Sequence, residues 1–247
     1  EFLALECYLK RVWFSNGIHH HYATDKFTPE FSENFFETTV RSLPSNTLPI
    51  QAYDNSVEKL IAAIKPVIFD STLYAKRVNQ NEDIDLVKNS ANNYYEGVSE
   101  AEVDQYYNSK KDPNDPMPIS WGLNSKLMKE NGNLVEKIWK IGGMYSDAIQ
   151  KIVYWLEKAS KVAENEEQQR VINSLIDYYE SGDLLTFDEY SILWVKDLDS
   201  RIDFINGFIE TYGDPLGLKA SWESVVNFKD LEATKRTEII SQNAQWF

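Results

Sequence analysis

The chain has 247 residues, 43% of them hydrophobic, which is enough to bury a core, and no apolar run approaches the roughly 18 residues of a membrane span. We therefore expect a globular, soluble protein that does not enter a membrane. Its formal net charge of −14 excludes nucleic acid as an expected partner, because phosphate binding requires clustered Lys and Arg. A cationic partner is favoured.

Residues 1–111 are predicted to be mainly helical, because apolar residues recur there at helical spacing. The four segments with this spacing are 2–14, 31–43, 56–69 and 84–95. Ser99 is followed three residues later by Glu102, the pattern of a capping box, so a further helix is expected to begin there. The prolines between 112 and 118 lack the backbone N–H that a helix needs and indicate a loop.

Residues 119–141 are predicted to form a first hairpin. Two short runs flank Asn131 and Gly132, a pair that readily adopts the positive φ angles of a tight turn. Residues 144–197 carry two apolar stripes at helical spacing and are predicted to form helices that pack together. Within them, Thr186 and Glu189 match a second capping box, which predicts a helix start at Thr186.

Residues 201–228 are predicted to form a second hairpin. Its strands, 201–212 and 220–228, are joined by a turn in which Pro215 and Gly217 supply the geometry. A last helix is expected over 231–247. Helices that flank two hairpins indicate an α+β fold, predominantly helical, with antiparallel sheet built from the hairpins, and we expect one domain over 1–247.

Several segments carry a family resemblance. The sequence reads Arg-Ile-Asp-Phe-Ile-Asn-Gly-Phe-Ile-Glu-Thr-Tyr-Gly-Asp-Pro-Leu-Gly at 201–217 and Val-Trp-Phe-Ser-Asn-Gly-Ile-His-His-His-Tyr-Ala-Thr-Asp-Lys-Phe-Thr-Pro at 12–29. Shorter matches are Ser-Trp-Gly-Leu-Asn-Ser-Lys-Leu at 120–127 and Glu-Asn-Gly-Asn-Leu-Val-Glu-Lys at 130–137. Together these segments resemble the dipeptidyl peptidase III family, its bacterial members most of all.

The resemblance implies a zinc metallopeptidase, a hydrolase that removes dipeptides from the N-termini of oligopeptides. It implies a lobe in which helices wrap a small β-barrel and face a helical zinc lobe, and this chain would be most of the non-zinc lobe. The family binds zinc through His-Glu-x-x-Gly-His and a later Glu-Glu-x-x-Ala-Glu. Neither motif is in this chain; Glu-Glu-Gln-Gln-Arg-Val at 166–171 departs from the second at its end.

We therefore expect a piece of a larger enzyme that is inactive alone, with no catalytic residue here and zinc bound outside it. The expected partners are short peptides, held by their N-terminal amine, and the zinc lobe of the same chain. The alternative is a non-enzymatic peptide- or partner-binding relative that has lost the metal site. Cys7, the only cysteine, fits a cytoplasmic location, with the periplasm as the alternative if a missing N-terminus carries a signal.

Asp203 is the first candidate for binding substrate. In an extended strand, Asp203 and Gly207 share one face, and Asn206, also a candidate, lies on the other. A carboxylate suits a substrate ammonium, and a bare backbone lets another chain approach. The family has an acidic residue at the place of Asp203 that holds the substrate amine, whereas Ile205 stands where animal members carry an assisting Tyr. The alternative is that Asp203 caps a turn or pairs with a neighbouring Arg or Lys.

Tyr22 and Asn16 are the candidates near the N-terminus. Tyr22 aligns with an aromatic residue that lines the family's dipeptide pocket, where a ring offers apolar contact and stacking. Asn16 offers both a donor and an acceptor to a peptide backbone. The alternatives are a buried Tyr under the turn at Phe27 and, for Asn16 with Gly17, a simple turn.

The three histidines, His19, His20 and His21, are adjacent. No helix can present two of them at the spacing of a zincin motif, and consecutive side chains diverge. We therefore expect packing or surface placement and no metal site. Glu210 and Asp214 receive no catalytic role, because Asp214 precedes a proline and indicates turn chemistry.

Overall fold

The computed structural model of the chain describes residues 1–81 and 83–247 and divides into two units, Glu1–Asn93 and Tyr94–Phe247. The helices of the first unit are α1 (Phe2–Phe14), α2 (Glu33–Ser42) and α3 (Val57–Phe69). Ser32 and Ser56 cap α2 and α3, each accepting a backbone N–H three residues on, which satisfies donors that a helix start leaves unpaired. These three helices agree with the predicted apolar spacing to within two residues at each end.

Aromatic side chains hold the helices of the first unit together. The buried ring of Phe31 contacts Tyr8 of α1 edge-on, with centroids 5.6 Å apart, and Phe69 of α3 at 5.5 Å. Edge-to-face pairs of this kind add to the free energy gained by burying the rings. The core of this unit therefore lies where α1 and α3 meet the segment before α2.

The helix predicted over 84–95 is wrong. The structure has turns from 83 onward and then a short strand, β1 (Tyr95–Glu96). The carboxylate of Asp85 accepts the N–H of Lys88 at 2.9 Å, and the Asn89 amide donates to the Asp85 carbonyl at 2.8 Å. Asp and Asn side chains that bond to nearby backbone in this way compete with helix formation.

The second unit contains two sheets. The first is β1 with β2 (Ser125–Glu130) and β3 (Asn133–Ile138), where β2 pairs parallel with β1 and antiparallel with β3. Asn131 and Gly132 form the β2–β3 turn with φ of 49° and 84°, the positive angles that this pair adopts readily. The second sheet pairs β4 (Ile202–Glu210) with β5 (Ser221–Phe228), also antiparallel.

Five helices complete the second unit. They are α4 (Glu100–Asn108), α5 (Ser146–Ser160), α6 (Glu166–Ser181), α7 (Leu184–Lys196) and α8 (Leu231–Gln242). The core is formed where α5, α6 and α7 pack on one another, with Ile149, Val171 and Leu175 almost completely buried. The predicted fold class, predominantly helical α+β with antiparallel sheets built from hairpins, is confirmed.

The two capping boxes predicted from sequence have different outcomes. At Ser99 the box is present, because its hydroxyl accepts the Glu102 N–H and the Glu102 carboxylate accepts the Ser99 N–H. At Thr186 the prediction is wrong, because α7 begins at Leu184, with the carboxylate of Asp183 accepting the Leu185 N–H at 3.0 Å. Gly182, with φ of 72°, ends α6, so the next helix starts at once.

None of the helices in the part of the chain that the structure describes is both long and apolar enough to cross a bilayer.

Candidate functional site

Asp203 lies near the start of β4 with its side chain exposed. The indole Nε1–H of Trp194, at the end of α7, donates to its Oδ1 at 2.9 Å. Among the described residues, no Arg or Lys forms an ion pair with Asp203. A neutral donor therefore orients the carboxylate, and its charge stays available to a cationic ligand. Sequence reasoning missed Trp194, because nothing local links α7 to this strand.

Gly207 is buried on the same strand. A Cβ at this position would lie 3.2 Å from the Phe187 ring of α7. The absence of a side chain at Gly207 therefore makes room for the ring of Phe187. The expected role of Gly207 in letting a ligand approach stays a prediction.

Asn206 belongs to a short hydrogen-bonded chain between the second sheet and α6. The Trp222 Nε1–H donates to the Tyr179 hydroxyl at 2.8 Å, and that hydroxyl donates to Asn206 Oδ1 at 2.5 Å. Burial raises the pKa of Tyr179, which keeps the hydroxyl protonated and able to donate. Asp203, Asn206 and Gly207 thus share one strand. Asp203 and Asn206 are each hydrogen-bonded to a helix side chain, and Gly207 lies against a third, the ring of Phe187.

In the first unit, Asn16 lies in the wall of an open cleft of about 570 Å³. It follows α1 with a left-handed φ of 52°, and Gly17 has φ of 154°. Tyr22 is 86% exposed on the loop that follows, and its ring contacts His21 edge-on with centroids 4.8 Å apart. The structure thus places Asn16 in the wall of the cleft, whereas Tyr22 is exposed and does not line it.

The histidine run beside this cleft serves the local backbone. Buried His19 uses Nε2 to bond the Tyr74 carbonyl at 2.7 Å. Burial lowers the pKa of His19, and the nearby charges of Arg77 and Lys26 lower it further, so its neutral form is favoured. His20 accepts the N–H groups of Tyr22 and Ala23 through Nδ1.

The sequence model described as "Peptidase family M49" matches residues 70–247. This chain belongs to peptidase family M49. The chain is also similar to dipeptidyl peptidase 3 of Dictyostelium discoideum, with 30% identity over 105 residues, which are 42% of this chain and 15% of that protein. The corresponding protein of Rattus norvegicus is 27% identical over 103 residues, 42% of this chain and 14% of that one.

The M49 chain is also similar to two solved structures. Dipeptidyl-peptidase III from Corallococcus sp. strain EGB has a TM-score of 0.47 and 19% identity, and the match covers 62% of this chain and 28% of that one. DPP III from Caldithrix abyssi has a TM-score of 0.49 and 15% identity, with 86% and 38% covered. This chain thus spans well under two thirds of the length of its relatives.

The M49 chain also contains a buried cation that sequence reasoning missed. Lys219, just before β5, is fully buried. Its Nζ donates to the Tyr107 hydroxyl at 2.6 Å, to Ser125 Oγ at 3.1 Å and to the Gly122 carbonyl at 3.3 Å. Burial lowers the pKa of Lys219 to about 8, while the charge of Glu136 opposes that shift. The only feature of the sequence that pointed to a buried cation here was the position of Lys219 between two apolar residues, Leu218 and Ala220.

Glu136 on β3 is the anionic centre of this cluster. It accepts hydrogen bonds from Ser125 at 2.6 Å, Tyr107 at 2.8 Å and Lys110 at 2.5 Å. Burial raises the pKa of Glu136, but these three hydrogen bonds outweigh it and leave the pKa below its usual value. The cluster therefore ties the β4–β5 connection to α4 and to the first sheet.

The β4–β5 connection is also fixed by Asp214. Its buried carboxylate accepts the N–H groups of Leu218 and Lys219 and the hydroxyl of Tyr95, all at 2.8 Å. This is the turn chemistry that the sequence indicated. Glu210 instead lies beside Glu223, and this neighbouring carboxyl group raises the pKa of Glu210, as expected for two acidic groups close together.

M49 peptidases are metallopeptidases. Among the described residues, no three His, Cys, Asp or Glu side chains are grouped so as to hold a metal ion. His19 and His20 direct ring nitrogens to the backbone. The residues of this chain that the structure describes therefore do not fit a zinc ion, and no chemical step is assigned to one here.

Proposed function

We propose that the longer protein is a zinc-dependent dipeptidyl peptidase, which cleaves dipeptides from the N-termini of oligopeptides. In this proposal the chain supplies most of the non-zinc lobe, binds substrate, and is inactive without the zinc lobe. Membership of family M49 supports the peptidase class. The exposed, singly hydrogen-bonded carboxylate of Asp203 is the observation that supports the substrate-binding role.

Asp203 is proposed to hold the protonated N-terminal amine of the peptide. Trp194 donates to one carboxylate oxygen, which orients the group and leaves the other oxygen to accept from the ammonium. A charge-assisted hydrogen bond of this type is about twice as strong as a neutral one. The net charge of −14 would also draw cationic peptides toward the protein.

The other substrate-binding candidates receive narrower roles. Asn16 is proposed to bind the peptide backbone from the cleft wall, and Tyr22 to contact a substrate side chain. Asn206 and Gly207 are proposed to keep β4 in place, since their neighbours are Tyr179 and Phe187. For the whole protein we propose a cytoplasmic location, because the free cysteine Cys7 is exposed and would persist in a reducing compartment.

The test is dipeptide release from a diarginyl chromogenic substrate by the full-length protein, with and without a zinc chelator. The 247-residue chain alone serves as the inactive control. We expect Asp203→Asn to raise KM by about tenfold or more, because an amide lacks the charge that binds the amine. Asp199→Asn, the matched control at a neighbouring exposed carboxylate, should leave KM unchanged.

Two results would contradict the proposal. Inactivity of the full-length protein with zinc supplied would favour the alternative, a peptide- or partner-binding relative without enzymatic activity. Equal KM values for Asp203→Asn and wild type would remove Asp203 from amine binding while leaving the peptidase assignment in place.

A further inference from the structure

The cleft of the first unit has an unusual charge for this protein. In a chain with a net charge of −14, none of the described residues that line the cleft is Asp or Glu. Among these lining residues the one permanent charge is the guanidinium of Arg77, and half of the others are serine or asparagine. The lining is therefore cationic within an anionic molecule.

Arg77 is anchored, but among the residues that the structure describes it has no acidic partner. Its backbone N–H bonds the Thr24 carbonyl at 2.8 Å, and its Nη2 bonds the His21 carbonyl at 2.8 Å. The Nε–H is buried and has no hydrogen-bond partner among the described residues. A buried donor that stays unpaired costs free energy, and more so when the group is charged. An anionic ligand beside the guanidinium would offset part of that cost by compensating its charge.

Two cations act on His19 in the wall of the cleft. The charges of Arg77 and Lys26 add to burial in lowering the pKa of His19, and that lowered pKa keeps His19 neutral. The Lys26 ammonium donates to the carbonyls of Asp70 and Leu73, at 2.6 and 2.8 Å, and the nearby negative charge of Asp70 partly offsets its own. Arg77 is therefore the main cation at the cleft.

Two residues of the cleft wall hold strained backbone. Asn16 and Tyr74 both have left-handed φ angles, 52° and 54°, which are uncommon for residues other than glycine and most so for a bulky one. The Tyr74 carbonyl is fixed by His19. Backbone strain of this kind concentrates at ligand-binding sites, and here it shapes the wall next to Arg77.

We propose that this cleft binds a carboxylate group of a ligand, with Arg77 as its counter-ion. A guanidinium presents parallel N–H donors that match the two oxygens of a carboxylate. One cation also matches the single charge of a carboxylate better than the nearly double charge of a phosphate. The inference that the carboxylate belongs to a peptide rests on the proposed function. The inference that the cleft binds a carboxylate rests on the charge of the cleft alone.

The experiment compares two forms of one peptide on the 247-residue chain by isothermal titration calorimetry. N-acetyl-trialanine is used as the free acid and as the C-terminal amide, so that neither carries an ammonium that Asp203 would bind. We expect the acid to bind about tenfold or more tightly than the amide. Equal affinities in the wild type would exclude a free C-terminus as the ligand and would leave the proposal to the side-chain probes below, whose failure overturns it. Because the probe avoids the amine site and needs no catalysis, this result is independent of whether the longer protein is a peptidase.

Arg77→Gln should abolish the preference for the acid, while Arg170→Gln, the same change at an exposed arginine paired with Glu167, should keep it. Arg77→Lys retains the positive charge but lacks the parallel N–H donors of a guanidinium, so it should keep a reduced preference for the acid. A full preference for the acid in Arg77→Gln would contradict the role given to Arg77. Since Arg77 also bonds the His21 carbonyl, melting temperatures check folding, and Arg77→Lys decides if Arg77→Gln does not fold.

A second pair of probes separates the two sources of a carboxylate. N-acetyl-Ala-Glu-Ala-amide has only a side-chain carboxylate, and N-acetyl-Ala-Gln-Ala-amide has none. A preference for the Glu peptide that Arg77→Gln removes would assign the cleft to acidic side chains. A preference for the free C-terminus alone would assign it to the end of short peptides. Either preference supports a carboxylate site, and only the absence of both, in the trialanine pair and in the Glu/Gln pair, overturns the proposal.

Discussion

Lys219 is a cation held without solvent contact by Tyr107, Ser125 and Gly122. Its pKa in the folded protein is about 8, against about 10.4 in an unfolded chain. Between these values the unfolded chain binds more protons, so the free energy of unfolding rises with pH in this window. Below pH 8 the buried charge destabilises the fold, by up to about 3 kcal/mol at 1.36 kcal/mol per pKa unit.

We therefore expect the free energy of unfolding to rise by about 1 to 2 kcal/mol between about pH 8 and 9.5. Lys219→Met should lose this rise, because it removes the titrating group and leaves the Tyr107 bond to Glu136 in place. Denaturant unfolding at several pH values, followed by tryptophan fluorescence, measures it. Subtracting the free energy of unfolding of Lys219→Met from that of the wild type at each pH removes the contribution of the other titrating groups. An equal rise in both would show that Lys219 is not the source.

Gly207 allows a second prediction, because Phe187 fills the space a side chain would take. The Phe187 ring is packed against Tyr178 and Tyr190, with centroids 4.7 and 5.7 Å apart, so it has little room to move. We expect Gly207→Ala to lower the free energy of unfolding by about 1 to 3 kcal/mol, the usual cost of overpacking. Denaturant unfolding checks this.

The control for Gly207→Ala is the same change in a Phe187→Leu background. If the ring causes the destabilisation, the added cost of the alanine should largely disappear there. An undiminished cost in the double variant would mean that the glycine is needed for another reason, such as the approach of a ligand.

At the residue scale, sequence and resemblance identified Asp203, but not the groups that surround it. Trp194 reaches Asp203 from another element, and Arg77 meets the loop after α1 across more than fifty residues. Contacts of this range depend on how elements pack, which no local pattern records. For the same reason Lys219 looked like an ordinary turn residue, although it is fully buried.

At the element scale, local chemistry decided which predictions were confirmed. The turn at Asn131 and Gly132 is there because its two residues alone favour the required φ angles. The helix over 84–95 is absent because Asp85 and Asn89 bond nearby backbone, a competition that apolar spacing does not register. The start of α7 was predicted too late in the chain, at Thr186. The side chain of Asp183, three residues earlier, caps the helix instead.

The α7 start gives a third prediction. Asp183→Ala removes the side-chain acceptor at the N-cap and should lower the free energy of unfolding by about 1 kcal/mol. Thr186→Ala, at the cap predicted from sequence, lies inside α7 and should change it by less than about 0.5 kcal/mol. Denaturant unfolding of both variants measures the contrast. A larger effect at Thr186 would mean that the helix begins there in solution.

On the scale of the whole molecule, the structure divides into the units Glu1–Asn93 and Tyr94–Phe247, and the expectation of one domain over 1–247 stays a prediction. Each unit carries its own candidate surface. The first has the cationic cleft with Arg77, and the second has the exposed carboxylate of Asp203. The net charge of −14 is a sum over the whole chain. It therefore predicted the local charge of neither surface, because a sum does not show where individual cations lie.

The net charge nevertheless predicts how cationic ligands associate with the chain. Attraction between a charge of −14 and a cationic peptide extends about 30 Å at 0.01 M salt and about 8 Å at 0.15 M. We expect the dissociation constant of diarginine amide for the 247-residue chain to rise several-fold across this range, measured by calorimetry. N-acetyl-trialanine amide, which is uncharged, should bind with a constant that salt barely changes. The same salt dependence for both peptides would mean that long-range charge does not guide binding and that contacts at Asp203 act alone.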